Sequence, residues 1–360
     1  MFILYHCGYR YFDNEVNINM SIKNILVVKL SAIGDVIHAL PVSYALKETF
    51  PDAKVTWVVE PPAYDLLTNN PYIDHIIVFE KKKFKSINGF FKNFPTFSDE
   101  LKKIKYDVVL DLQGLGKSAV IAWMSGAPLK LGCSNMRELS NWVSKPVCGL
   151  NQNGHIVERY LDVVRALGCK VEKVVFPVEI TEKEADIAVK LMRQAGMDSK
   201  NSYVVLAVGA NWANKRWPTK LYAALVDALY AKKIIPVVIG GGVIDSRLVA
   251  EINEKAEIPA VDLVGKTTLK QLAYMIKNAK AVVGGDTGPM HLAAGLGKPV
   301  VMLMGPTDAN RNGPYGQAQN AIEITRTCKH CWKRKCRFNI DCLEEITVRQ
   351  VMDQLQTMME

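Results

Sequence analysis

The chain has 360 residues, 49% of them hydrophobic and 22% charged, the size and composition of roughly two ordinary globular domains. No stretch approaches the ~18 uncharged apolar residues that cross a membrane. The 45 Lys and Arg against 36 Asp and Glu give a formal charge of +9, which favours anionic partners. No basic helix with interleaved aromatics speaks for nucleic acid.

Residues 1–20, MFILYHCGYRYFDNEVNINM, have no basic start followed by a long apolar core, so they do not read as a secretion signal. They match no element of the alternating pattern that begins near Ile25. A loose tail or a start artefact is expected there, with MSIKNILVV as the more natural beginning and a cytoplasmic location.

The β-branched run 25–30 reads as a buried parallel strand. A Ser-Ala-Ile-Gly turn, Asp35 and a helical pattern over 36–49 come next. In an open α/β sheet, ligands bind beyond the carboxyl ends of strands, where this turn sits. Asp35 either caps the helix or offers a carboxylate to a ligand. Further strands are expected at 55–59, 76–79 and 107–112. Between Lys81 and Lys105, Lys82, Lys83, Lys85, Lys92, Lys102 and Lys103 face only Asp99 and Glu100. Such a run is a solvated loop or a face for anionic lipid headgroups. In DLQGLGKSAV, 111–120, the GKS triplet suggests a P-loop, but the motif needs glycine where Asp111 stands. Lys117 is then either a residue at the opening of a cleft or part of a helix start.

A helix is expected at 155–168. The polar helix 181–196 separates two series of alternating elements, with the boundary near 172–185. The second series has strands at 203–208, 234–239, 260–264, 281–283 and 299–303, and helices at 219–232 and 269–278. In GANWANKRWPTK, Lys215 and Arg216 follow a strand end, so Lys215 reads as a compact positive charge for a phosphate or as part of an exposed turn. In GGDTGPMHLAAGLGKPVVMLMGPT, 284–307, a strand runs into a helix start with proline in its first turn. Amides of Thr287, Gly288 and their neighbours there suit an anion. Asp286 is a cap or a ligand contact, and His291 is a packing residue or a secondary site candidate. Residues 345–358 read as a closing helix. The alternation argues for parallel sheets covered by helices on both faces.

Cys7, Cys133, Cys148 and Cys169 are scattered and read as reduced structural thiols. Cys328, Cys331, Cys336 and Cys342 form C-x2-C-x4-C-x5-C. Four thiolates bind zinc tetrahedrally, but only one C-x2-C knuckle is present. A structural metal, a disulfide pair and free thiols all stay open, and no catalytic metal is assigned.

SAIGDVIHALP, KRWP and GGDTGPMHLAAGLGKPVVMLMGPT resemble three signatures of the bacterial heptosyltransferases of glycosyltransferase family nine, and the resemblance runs from about Ile22 nearly to the end. YDVVLDLQGLGKSA (106–119) and HIVERYLDVVRALG (155–168) look most like the heptosyltransferase I branch. The resemblance implies a GT-B fold, α/β, of two Rossmann-like doubly wound parallel-sheet domains facing across a cleft. It places the acceptor-side domain at 21–178, the nucleotide-sugar donor domain at 179–343 and the closing helix at 344–360. It implies inverting, metal-independent transfer from ADP-heptose to the Kdo–lipid A inner core, with no cofactor. The partners implied are an ADP-sugar, an anionic glycolipid and the cytoplasmic face of the inner membrane. Asp35 matches the general base. Lys215 matches the lysine on the donor diphosphate, and Asp286 the aspartate on the donor sugar, with Thr287, Gly288 and His291 beside it. Thr267 falls where the adenine is met and Asp245 near the ribose. Lys117 and Arg137 are anchors for the acceptor's anionic groups. The cysteine cluster departs from that branch and resembles others, so heptosyltransferase II or another member is the alternative. A sugar-nucleotide epimerase of the same fold and a non-enzymatic basic surface protein are further readings, and the latter leaves both glycine-acid turns unexplained.

Overall fold

Each half of the chain builds one six-stranded parallel sheet with the same winding. The computed structural model describes residues 22–84, 86–198 and 201–359, so the expected tail at 1–20 and Lys85 lie outside the described residues. The chain divides into two compact units, Met1–Glu179 and Ile180–Glu360.

The first sheet comprises β1 (Asn24–Val28), β2 (Lys54–Val59), β3 (His75–Val78), β4 (Val108–Asp111), β5 (Leu129–Cys133) and β6 (Lys145–Val147), in the order β3-β2-β1-β4-β5-β6. The central β1 pairs in parallel with β2 and β4, so that Val28 lies opposite Val58 on one side and Asp111 on the other. The strand order reverses between β1 and β4, and such a switch point opens a crevice at the carboxyl ends. Ile25 to Val28 are fully buried, as a strand with helices on both faces requires. Just beyond them the buried Lys29 donates to the Tyr160 hydroxyl (2.7 Å) and the Leu112 carbonyl (3.0 Å), so its charge does not enter the core unpartnered.

The lysine-rich stretch is not the solvated loop that its charge suggested. A helix spans Ile87–Lys102, with the Ser86 hydroxyl accepting from the Gly89 N–H at its start. Phe94, Phe97 and Leu101 join Phe84 and Tyr106 on the core side, while Lys92, Lys102 and Lys103 stay exposed. The lysine density and Pro95 masked this amphipathic pattern. Helices at Gly116–Met124 and Val243–Lys255 and strands β5 and β6 also went unread. Edge strand β6 carries Pro146, which an edge tolerates because no neighbour needs its N–H.

The second sheet comprises β7 (Tyr203–Ala207), β8 (Ile235–Ile239), β9 (Val261–Asp262), β10 (Ala281–Gly285), β11 (Val300–Met304) and β12 (Ala321–Glu323), in the order β12-β11-β10-β7-β8-β9. Its switch point lies between β7 and β10, where Gly284 pairs with Ala207. The closing helix, Val348–Met359, places the fully buried Val351 and Leu355 in the same core as Trp217, Tyr222 and strands β7, β10 and β11. Among the described residues, no helix is long and apolar enough to cross a membrane.

Candidate functional site

The second unit's crevice is built on two glycines. A Cβ on Gly285 would lie 1.9 Å from the Lys215 carbonyl oxygen, and one on Gly284 would lie 2.7 Å from that of Ala207. Only glycine lets the segment carrying Lys215 approach β10 this closely. Asp286, the next residue, is therefore buried at the strand end, with 4% of its side chain exposed.

Three groups hold its carboxylate. Lys215 Nζ lies 2.6 Å from Oδ2, and the Thr307 hydroxyl donates to the same oxygen at 2.7 Å. His291 Nε2 lies 2.9 Å from Oδ1. An ionised carboxylate only accepts, so Nε2 carries the proton. Burial works to raise the Asp286 pKa. The His291 hydrogen bond and charge, followed by the Lys215 charge and hydrogen bond, outweigh it and hold the carboxyl far below the usual range. Lys215 also sits 4.5 Å from the centre of the Trp212 ring, a favourable place for an ammonium. Its side chain stays 14% exposed.

Thr287 caps the helix Gly288–Gly295, with proline in its first turn. Pro289 has no N–H, and Met290 and His291 donate to the Thr287 carbonyl. The Thr287 and Gly288 amides stand at the helix start, where the expected anion site lies. Asp245, in the first turn of helix Val243–Lys255, accepts from the Gly241 N–H (2.8 Å) and lies over the backbones of Gly209 and Gly240 at the ends of β7 and β8. Thr267 lies beyond β9, next to Thr268, the cap of helix Leu269–Asn278. The structure thus gathers Lys215, Asp286, Thr287, Gly288 and His291 into one cluster, and places Asp245 and Thr267 along the same sheet edge. Arg216 turns away and donates to the Ala210 carbonyl.

The first unit repeats the arrangement with looser contacts. Asp35 is half-buried in the first turn of helix Ile33–Thr49, and its Oδ2 accepts from the Ala32 N–H at 3.1 Å. The capping contact is therefore real, and it uses one oxygen. Lys117, in the first turn of helix Gly116–Met124, pairs with Glu60 at 2.5 Å and approaches the Ser31 hydroxyl at 3.4 Å. Arg137 is exposed, and its N–H donates to the Gly114 carbonyl (2.9 Å), which brings it to the same turn. Asp111 replaces the P-loop glycine for a visible reason. It is fully buried and accepts from Gly114 (2.8 Å), Gln113 (3.1 Å) and the Ser118 hydroxyl (3.0 Å), which ties the turn together. Burial raises its pKa, against those hydrogen bonds.

Thr307, Trp212, Glu60 and Ser31 were not assigned from sequence. Thr307 follows Gly305 and Pro306 just beyond β11, and that position is the signal that could have found it. Nothing local in Glu60 or Ser31 announces a partner far along the chain. Cys133 and Cys169 are free and buried. Cys148 is disulfide-bonded, not the reduced thiol expected.

Residues 96–340 match the model of glycosyltransferase family 9 (heptosyltransferase). The chain belongs to this family. It is a glycosyltransferase. Lipopolysaccharide heptosyltransferase 1 of Pseudomonas aeruginosa is 28% identical over 324 residues, covering 87% of each chain. Lipopolysaccharide heptosyltransferase 3 of Escherichia coli is 29% identical over 285 residues, 76% of this chain and 81% of that protein. Among solved structures, a family 9 glycosyltransferase from Veillonella parvula superposes with a TM-score of 0.82 at 26% identity, covering 94% of this chain and 97% of that one. Escherichia coli heptosyltransferase WaaC, solved with ADP, shares the fold with a TM-score of 0.72 at 24% identity, covering 93% of this chain and 99% of that one.

Proposed function

We propose that this family 9 glycosyltransferase transfers a heptose from ADP-heptose to the Kdo–lipid A inner core of lipopolysaccharide, with inversion and with no metal ion in the reaction. The observation that carries the reading is the buried Asp286 held by Lys215, His291 and Thr307 at the switch point of the second sheet. The curated relatives that bear lipopolysaccharide heptosyltransferase names support the substrate class.

The second unit binds the donor. Asp286 fixes Lys215, whose free N–H groups meet the diphosphate, and the Gly288 amide adds a donor at the positive end of a helix. As the glycosidic bond to the diphosphate breaks, negative charge grows on the leaving oxygen. A preorganised ammonium and amide stabilise it there, the role that a divalent ion fills in metal-dependent transferases. Asp245 faces the ribose and Thr267 the adenine. The first unit takes the acceptor. Asp35 removes the proton from the attacking hydroxyl, and attack opposite the leaving group inverts the anomeric carbon. Lys117 and Arg137 meet the acceptor's anionic groups.

A glycolipid acceptor requires membrane contact, and one face of the first unit suits it. Phe91, Trp123 and Trp142 are 71%, 68% and 78% exposed. They lie on helix Ile87–Lys102, helix Gly116–Met124 and the turn Ser140–Trp142, which touch in sequence. Aromatic tips flanked by exposed lysines fit an anionic interface on the cytoplasmic side.

The test is transfer from ADP-heptose to Kdo–lipid A, run beside thermal-shift titrations with ADP-, UDP- and GDP-sugars. Preferential stabilisation by ADP-heptose, together with acceptor-dependent loss of donor, supports the reading. Preference for another nucleotide overturns the donor. Conversion of the donor without acceptor makes the protein an epimerase.

A further inference from the structure

The four clustered cysteines lie outside the transfer chemistry. Cys328, Cys331, Cys336 and Cys342 fall between β12 and the closing helix, are all free thiols, and line one cavity of about 250 Å³. Spacing alone shows a single C-x2-C pair. The structure supplies a second half. Cys336 and Cys342 line the same cavity as the Cys328–Cys331 pair. Cys342 forms the floor of the cavity, packed so tightly on β11 that a Cβ on Gly305 would come within 2.9 Å of its sulfur. Left without a cation, four sulfurs disfavour one another's ionisation. A metal ion reverses that, because a coordinating thiol is deprotonated outright.

The charge around the cavity agrees. Arg326, Lys329, Lys333, Arg334, Lys335 and Arg337 crowd this one segment; Arg326 pairs with Glu345 and Lys329 with Glu323, and the basic residues still outnumber the acids. We propose that Cys328, Cys331, Cys336 and Cys342 form a tetrathiolate site for one thiophilic transition-metal ion, and that this ion fixes the segment bracing Lys215 and Thr307. Four S–H bonds give way to four metal–sulfur bonds and four protons go to solvent. A divalent centre then carries a net charge of −2, which the basic segment neutralises. Among the described residues, only Asp308, Glu323 and His330 bring three donor atoms within 4.8 Å of one another. The sulfurs are spread more widely, so binding draws the segment inward. That other trio is a weaker candidate, since Glu323 is engaged by His330, Lys329 and the Ala309 N–H.

Two backbone connections carry the effect to the crevice. His330 and Trp332 donate to the carbonyls of Gly305 (2.9 Å) and Pro306 (2.8 Å), immediately before Thr307. Asn214, immediately before Lys215, donates to the Lys333 carbonyl at 2.7 Å. The metal site itself does not depend on which nucleotide sugar binds. The bracing role rests on Lys215 and Thr307 belonging to the donor site.

The experiment takes the full chain, purified under reducing conditions. Its metal content is measured, and the stripped protein is titrated with Zn²⁺ and with Co²⁺ as a spectroscopic probe. One zinc or one iron per chain, with thiolate-to-cobalt charge-transfer bands, is expected, and the elemental analysis says which ion it is. Cys331→Ser, at an exposed ligand, and Cys336→Ser each weaken metal binding by ~10-fold or more. If Cys342→Ser does not fold, these two carry the test. Absence of bound metal and of the cobalt bands overturns the site, as does metal content unchanged in both variants. The loaded protein melts higher than the stripped one and binds ADP more tightly. Equal ADP affinity in the two forms overturns the bracing role while leaving the site.

Discussion

The two sheets wind identically, yet their crevices are finished differently. At the first switch point, Asp35 and Lys117 are half-buried, Asp35 is held by one amide and Lys117 by one carboxylate. At the second, Asp286 is buried under three donors. A carboxylate that must exchange a proton with a substrate needs solvent access and few fixed partners. A carboxylate that fixes a cation against a diphosphate needs burial and saturation, since a low dielectric strengthens each contact. The same fold thus supplies an open edge and a rigid one.

The sharpest way to break this contrast is Asp286→Asn. It leaves Lys215 without its counter-ion, and removing one partner of a buried pair costs roughly 3 kcal/mol. Transfer should fall ~10²–10³-fold and ADP binding should weaken, as calorimetry and a transfer assay would show. Asp35→Asn should reduce turnover by ~10²–10⁴-fold, with ADP affinity and melting temperature nearly unchanged because the amide oxygen still accepts from Ala32. Near-normal turnover would remove Asp35 from the chemistry.

Acid offers a further comparison. Asp74 of the first unit is bound by Lys47, Lys54 and the Val55 N–H. Burial works to raise it, but those bonds bring its carboxyl from 3.8 down to about 2. A lowered folded value means that the stabilisation is complete above the unfolded value and is lost as pH falls through the folded one. Asp74→Asn should therefore cost about 2 kcal/mol at pH 7, and the difference from the parent should vanish between pH 4 and 2 in denaturant melts. The smallest effect belongs to Lys117→Met. It should raise the acceptor KM roughly tenfold, about 1.4 kcal/mol for one charged contact, and leave ADP binding intact.

Much of this was legible before the structure. The central strands announce themselves as β-branched runs; Asp286 follows its strand directly, and Asp35 and Lys215 lie in the turns that follow theirs, so their place beyond the strand ends could be read from spacing. Helix Ile87–Lys102 and strands β5, β6 and β12 could not. Their signals are diluted by lysine, proline or brevity, and tertiary packing decides them. Partners remote in the chain, such as Glu60 for Lys117 or Thr307 for Asp286, are fixed by topology alone. Local pattern leaves a cap or a ligand contact open for Asp286; the structure ties its side chain to Lys215, His291 and Thr307.

The closing helix has a consequence for biosynthesis. Val351 and Leu355 fill the interior shared by β7, β10 and β11, so the second unit cannot seal itself while those residues are still inside the ribosome. Its nascent form exposes an apolar seam until Val351 and Leu355 have emerged, when the first half has long since left the exit tunnel. Stalling or proteolytic clipping before residue 348 should yield a chain whose leading half is native and whose trailing half is prey for chaperones.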